Sequence, residues 1–413
     1  MSTSSIPASA VLRRRKGHSD PTPFCSLSHS EDPMVRQTHR VLAVLVVALS
    51  ASGTARAQSS INPEISVIPR FLLSTDDGGT LSEGKREFSR PEFIFEELEV
   101  VFSGYLNPYA RADVVLALAG PDVEAASLGL EEAYLTVLRG LPLDLNLRVG
   151  KYRAEFGKMN MMHPHQWPFV TQPLSQERFL GEESLNDLGL SASLLLPTGD
   201  VYTRLTVDVL RGLSIPEAAG LEDTTGGAPF FANSARLMGF FPVGDDADLE
   251  AGVSMYTGIH DPYNRDRFWY WNLDAKYRWR PDSYTSLVVQ GEYLLNTRDA
   301  ELGPDLAPFV DADGNPERRS ITSGGLYIFG DYQFLKIFSV GARFDWSQAP
   351  YTSDEDATAY AVFFGYYPVE ETIGLRLHYQ HTRTEVSGGA AEAVNFIGLQ
   401  ALFSLGPHKA HPF

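Results

Sequence analysis

The sequence predicts an all-β chain, a transmembrane antiparallel β-barrel of about 16 strands with a long third extracellular loop. Three observations predict it. Apolar and polar residues alternate with a period of two along most of the chain after residue 57, as in strands with one face against an apolar medium. Tight turns and long polar loops take turns between these runs. An export signal stands at the head of a chain in which no later apolar run approaches the ~20 residues that a spanning helix needs.

The export signal is built from Arg36 and Arg40, an apolar run from Val41 to Leu49, and the small-x-small triplet Ala55-Arg56-Ala57. Residues 34–57 are therefore expected to be a removable signal peptide. Residues 1–33, with the basic run Arg13 to Lys16, are expected to be a mis-assigned start or an extension, and 58–413 to be the barrel. The whole chain has a net charge of −18. Without the first 57 residues the balance is 27 Lys and Arg against 49 Asp and Glu, a net −22. Such acidity excludes nucleic acid as a partner, because phosphate is met by clustered Lys and Arg. The single cysteine, Cys25, lies before the expected cleavage point, so a disulfide-stapled scaffold is excluded too.

Each strand follows from its alternation. Leu143, Leu145, Leu147 and Val149 interleave with Asp144, Asn146, Arg148 and Gly150; Trp269, Trp271 and Leu273 face away from Tyr270, Asn272 and Asp274. The same pattern gives strands over 63–73, 92–106, 109–119, 128–138, 143–156, 187–196, 201–212 and 234–243. It continues over 247–259, 267–280, 284–297, 321–333, 337–347, 357–368, 372–384 and 393–406. Pro69 interrupts the first of them and makes it the weakest. Turn-forming residues such as Asn107-Pro108, Thr198-Gly199-Asp200 and Gly244-Asp245-Asp246 join alternate pairs. Longer loops, including 213–233 and 298–320, join the others. Aromatic residues near strand ends (Tyr105, Tyr109, Phe240, Phe241, Trp279, Tyr284, Tyr366, Tyr367) suit the girdles of a membrane barrel. The chain finishes on an aromatic residue, Phe413, beyond its last strand.

The stretch from Gly150 to Asn186 breaks the alternation for longest. It holds Trp167, Phe169 and Phe179 with several prolines and glycines, a combination of apolar surface and restrained backbone that packs against something, and the barrel interior is nearest. Loop 158–186 is thus expected to narrow a pore, with His163, His165, Trp167, Arg178, Glu182 and Glu183 as candidate constriction residues. Arg178 with the two glutamates would either set a local field or pin the loop. His163-Pro164-His165, preceded by Met159, Met161 and Met162, has residue types that suit zinc or copper. Two histidines supply only two ligands, so a third would come from Glu182, Glu183 or a distant strand; structural histidines are the alternative.

Strand parity also assigns charges to the lumen. The basic set is Arg111, Arg148, Arg204, Lys276, Arg278, Arg343 and Arg376; the acidic set is Glu97, Glu99, Asp113, Asp144, Asp208, Glu250, Asp274, Glu292 and Asp345. Near balance predicts weak ion selectivity. No nucleophile-elbow or metalloprotease helix motif is present, and parity sends His378 inward and His381 outward, so no enzyme and no cofactor is expected.

The runs GKYRAEFGKMN, HPHQWPFV and GEESLNDLGL, with Pro173, Arg178 and the early NPEISVIP, resemble a group of bacterial outer-membrane porin-like proteins. Members are described as phosphate-selective-porin-like, and some as zinc-regulated or receptor-associated. The resemblance implies a sixteen-stranded barrel in the outer membrane of a Gram-negative cell, an inward third loop, and assembly as a homotrimer. It implies as partners outer-membrane lipid and lipopolysaccharide, the barrel-assembly machinery and small hydrophilic solutes. The expected function is passive or weakly selective diffusion; the alternative is a plugged, non-conducting barrel that binds a ligand or a zinc or copper ion as part of a receptor. The balanced lumen charges make the phosphate-selective likeness one of fold.

Overall fold

The computed structural model describes residues 63–406 apart from 79–80, 83–84, 87, 121–124, 213–230, 262–265, 302–308, 370–371, 388 and 390. The expected signal peptide, the residues before it and Phe413 lie outside the described residues.

Sixteen strands close into one antiparallel barrel. They are β1 (Glu64–Asp76), β4 (Glu92–Asn107), β5 (Ala110–Ala119), β6 (Ser127–Val137), β7 (Asn146–Arg153), β8 (Asn186–Leu196), β9 (Tyr202–Leu210) and β10 (Ala232–Val243), followed by β11 (Ala247–Asp261), β12 (Asp266–Trp279), β13 (Ser286–Ala300), β14 (Arg319–Phe334), β15 (Phe338–Ala349), β16 (Thr352–Val369), β17 (Ile373–Val386) and β18 (Glu392–Phe403). Between β1 and β4 the two-residue strands β2 (Leu81–Ser82) and β3 (Lys85–Arg86) pair in a separate small sheet. Neighbours in sequence are neighbours in the wall, and β1 pairs with β18 to close it.

Pro69 is accommodated at this seam. The β1–β18 ladder runs from Arg70↔Leu402 to Asp76↔Phe396 and a further bridge joins Val67 to Leu405, so the residue without an N–H sits in the gap between the two. On the other side β1 pairs with β4 from Glu64 onwards, with a register shift between Arg70 and Phe71.

Expected and observed strands agree to within a few residues, except around β7 and at the start of β16. The strand expected over 143–156 occupies only Asn146–Arg153. Pro142–Asp144 forms a 3-10 turn in which Leu143 and Asp144 both take positive φ (61° and 53°), so Asp144 is an exposed turn residue and not a lumen charge. At its other end β7 stops because the chain leaves the wall and turns into the barrel. β16 begins at Thr352, earlier than expected, and lengthens the wall above β15.

The alternation sorts side chains as a bilayer requires. Leu273, Leu377 and Val362 point outward and are 62%, 51% and 55% exposed, while Asp274, His378 and Phe363 beside them are buried inside. So much apolar surface on one continuous outer face suits lipid rather than water. An arginine at such a mid-strand position must leave its charge in hydrocarbon. Leu273→Arg is expected to destabilise the barrel by ~2–4 kcal/mol, read from guanidinium unfolding in lipid vesicles; an unchanged midpoint would place the outward face away from lipid.

Candidate functional site

The segment between β7 and β8 fills the lumen. Its entry turn depends on Gly157, whose φ of +66° suits glycine and whose missing side chain leaves room for Glu292: a Cβ there would lie 2.2 Å from Glu292 Oε2. Glu292, on β13 across the barrel, accepts the backbone N–H groups of Lys158 and Met159, and also bonds Asn272, Gln176 and the Tyr327 hydroxyl. Gly157 N–H donates to Ser254 Oγ, and Lys158 Nζ pairs with Glu250 at 2.7 Å. Burial lowers the Lys158 pKa, with Glu250 opposing that shift. Asn160 then ties the two ends of the segment together, donating to the carbonyls of Ala154 and Leu185 and accepting the Leu185 N–H.

Apolar packing holds the rest. Met159, Met162, Trp167 and Phe169 cluster with Tyr327, Phe329 and Phe363 of β14 and β16. Phe156, Phe179, Leu180 and Leu185 cluster with Tyr256, Phe268 and Tyr270 of β11 and β12. Each such buried side chain stabilises the docked state by ~1.5–3 kcal/mol. A short helix, α1 (Leu174–Leu180), lies against β14, β15 and β16 and ends at Gly181, which adopts φ +76°. Leu174 packs on Ala357 and Ala359, and Gly325 faces Ser175, so small inward residues make space for the helix.

The candidate constriction residues divide. Trp167 is buried in the apolar cluster above. Arg178 does not meet Glu182 or Glu183; it pairs with Glu355 of β16 at 2.9 Å and pins the helix to the wall. Glu182 and Glu183 are exposed, and neither belongs to the group of ligand atoms around the histidines.

Lumen charges mostly meet partners. Arg111 pairs with Asp113, Arg236 with Asp274 and Glu250, Arg278 with Asp248, Arg343 with Asp345, and Glu97 with Arg70. Arg204 pairs with Glu155 of the segment, Asp208 accepts from Tyr152, and Arg148 lies over the rings of Tyr134 and Tyr152. Arg343 also donates to the Thr171 carbonyl, and Arg376 to the His165 carbonyl. His378, which faces the lumen, bonds the Thr171 hydroxyl, whereas His381 bonds Asn395 on β18.

The two loop histidines come together against β4 and β6. Pro164 opens a 3-10 turn, Pro164–Gln166, and the Gln166 side chain accepts the His163 N–H, a local fold that HPHQ encodes directly. The rings stack with centroids 5.6 Å apart. Glu99 Oε2 lies 3.1 Å from His165 Nδ1 and 3.4 Å from His163 Nδ1. Glu131 Oε2 lies 3.6 Å from His163 Nδ1, and Glu132 Oε2 lies 3.6 Å from His163 Nε2. Burial alone would lower the His163 pKa, but Glu99 beside it, with the Glu131 and Glu132 carboxylates close to the ring, holds it well above the ordinary histidine value.

Glu131 and Glu132 were not legible as a pair. Consecutive residues of a regular strand face opposite sides, yet both are buried in the lumen. The reason is a bulge: β5 pairs Val115 with Glu132 and Leu116 with Leu130, leaving Glu131 unpaired and turning it inward. Two adjacent glutamates between outward leucines, LGLEEAYL, are the only trace of it in the sequence.

Beside the segment, on the short-turn side, lies a cavity of about 580 Å³. His165, Trp167 and Met162 line it together with Lys276, Arg278, Arg280, Arg376 and Asp331.

Sixteen strands closed on themselves around an inward third loop are a fold that this chain shares with solved outer-membrane channels and porins. Solved structures of similar fold include the outer-membrane channel DcaP of Acinetobacter baumannii (TM-score 0.54, 15% identity, 84% of this chain and 99% of that chain). OmpF of Salmonella typhi in complex with daunomycin is another (0.53, 9%, 83% and 98%), as is an anion-selective porin from Comamonas acidovorans (0.51, 6%, 83% and 99%). At these identities the likeness is one of fold. In sequence, the chain is 26% identical over 318 residues to an uncharacterized protein of Aquifex aeolicus, a match that covers 69% of this chain and 63% of that relative's length. No family model matches the chain.

Because Glu292 satisfies several buried donors at once, Glu292→Ala is expected to free the segment from the wall. Each buried donor left without an acceptor costs ~1–3 kcal/mol. Limited trypsin digestion of the folded protein should then cut after Lys158 or Arg178, sites protected in the wild type; equal protection in both would remove Glu292 as the anchor.

Proposed function

We propose that the protein is an outer-membrane channel for passive, weakly selective diffusion of small hydrophilic solutes, with the segment between β7 and β8 as its constriction. One observation carries this reading. The segment is fastened to the wall at separate places, to Glu292 and Glu250 on one side and to Arg376 and His378 on the other, and leaves beside it a cavity whose lining includes Lys276, Arg280 and Arg376. Mutual pairing of the lumen charges supports weak selectivity, since a paired charge attracts few ions. Lys276, Arg280 and Arg376 around the cavity add a modest preference for anions. The finer likeness to phosphate-selective-porin-like proteins adds no arrangement of charges beyond this one. Export by the signal peptide, insertion by the barrel-assembly machinery, contact with lipopolysaccharide and assembly as a homotrimer belong to the same proposal. Light scattering of the detergent-solubilised protein checks the trimer.

The number of wall contacts favours a second reading, a plugged barrel that binds a ligand as part of a receptor. Planar-bilayer conductance of the wild type and of a deletion of residues 159–169 separates the two. A channel gives small wild-type steps that grow on deletion, with a reversal potential in a salt gradient displaced only slightly toward anions. A silent wild type that conducts only after deletion establishes the plug, and strict selectivity for either ion sign overturns the weak-selectivity reading.

A further inference from the structure

We propose that Glu99, His163 and His165 form a binding site for a divalent transition-metal ion of the zinc class, with Glu131 as fourth ligand and Glu132 orienting the His163 ring. This inference goes beyond the channel reading and does not depend on it.

Geometry comes first. A tetrahedral zinc ion with ligands at ~2.0–2.1 Å separates neighbouring ligand atoms by ~3.3–3.4 Å. Glu99 Oε2 stands 3.1 Å from His165 Nδ1 and 3.4 Å from His163 Nδ1, and Glu131 Oε2 stands 3.6 Å from His163 Nδ1. The ligand atoms of Glu99, His163 and His165 all lie within 4.8 Å of one another, so three ligands are already gathered, and Glu131, which neighbours only His163 among them, closes in to supply the fourth.

Charge points the same way. Three carboxylates, Glu99, Glu131 and Glu132, face one another, and among the described ion pairs their guanidinium partner is Arg153, which reaches Glu131 Oε1 at 2.7 Å. With neutral imidazoles the group is therefore two charges negative. A divalent cation offsets both, while leaving the histidines neutral as metal ligation requires. Glu131 Oε2 supplies an independent sign: its residue is 7% exposed, and this oxygen has no hydrogen-bond partner although it is aimed at His163. Buried carboxylate oxygens are seldom left so.

The chemistry of the set selects among metals. Imidazole and carboxylate suit zinc and its neighbours, and the thioethers of Met159 and Met162 are committed to the apolar cluster, which disfavours copper(I). Glu132 Oε2, 3.6 Å from His163 Nε2, completes the carboxylate–histidine–metal arrangement in which an outer carboxylate fixes the tautomer that ligates. His165 also lines the cavity on the short-turn side, so an ion can reach the site through it. Bound there, the ion would join the loop to β4 and β6 through bonds stronger than the hydrogen bonds that hold it elsewhere.

The test uses the full-length protein folded in detergent and dialysed against a chelator. Titration with Co2+ is followed by ligand-field absorption, and Zn2+ is then added as competitor. One equivalent of Co2+ with a tetrahedral spectrum, displaced by Zn2+, is the expected result. His163→Ala combined with His165→Ala, and separately Glu99→Gln, should abolish it. Glu132→Gln should weaken binding about 10–100-fold, and Asp354→Asn with Glu385→Gln, on exposed strand ends elsewhere, should leave it unchanged. Heat-shifted gel mobility reports folding of each variant. No saturable uptake of Co2+ or Zn2+ by the folded wild type overturns the proposal and leaves protons as the cations of this cluster; uptake that survives the double histidine substitution overturns the assignment.

Discussion

Closure of the ladder is the constraint from which the rest follows. In hydrocarbon a backbone N–H or C=O without a partner costs several kcal/mol, so a β-sheet that crosses a membrane must have no free edge. Here the last edge is removed where β1 meets β18, from Arg70↔Leu402 to Asp76↔Phe396. Once the sheet is closed, the period of two fixes which side chains meet lipid and which meet the lumen. The interior that results is wide, polar and in need of contents, and the segment between β7 and β8 provides them.

That segment behaves as a small core inside a membrane protein. Its aromatic residues, Phe156, Phe169 and Phe179, are fully buried against inward-facing rings of the wall, and its backbone donors end on Glu292. Polar and apolar anchoring are thus distributed around the circumference: Glu250 and Glu292 on β11 and β13, Arg343 and Arg376 on β15 and β17, Glu99 on β4. Removing one anchor leaves the others, which is why the loop keeps a defined path although it is the longest break in the alternation.

The architecture was legible in the sequence because a barrel repeats a single rule along the chain, and each strand tests it again. Even the strand with Pro69 obeys it, since the proline falls in a gap of the seam, between the pairs made by Val67 and Arg70. The errors arose where local backbone geometry overrides parity. Leu143 and Asp144 continue the alternation on paper, yet they sit in a 3-10 turn at positive φ. The candidate site was legible only in part. His163, His165 and Trp167 stood out by composition, and their local turn by Pro164 and Gln166. Their partners did not, because Glu99 is one of many inward acids and is brought to the histidines by closure of a loop in which His165 lies 66 residues away in sequence. Arg178 was assigned to neighbours in sequence, Glu182 and Glu183, when its partner is Glu355, nearly half the chain away.

The bulge in β6 has a consequence for how a barrel wall distributes charge. A regular strand addresses the lumen with every second residue, once per ~6.8 Å of its length. By admitting one extra residue, β6 addresses it twice in succession, and two carboxylates bracket the same imidazole, one at each ring nitrogen. The wall thus acts at this point as a pincer rather than as a surface. Its jaws are aligned by backbone length alone, so loss of a single residue between Ser127 and Glu131 would restore regular pairing and turn one jaw out into the lipid.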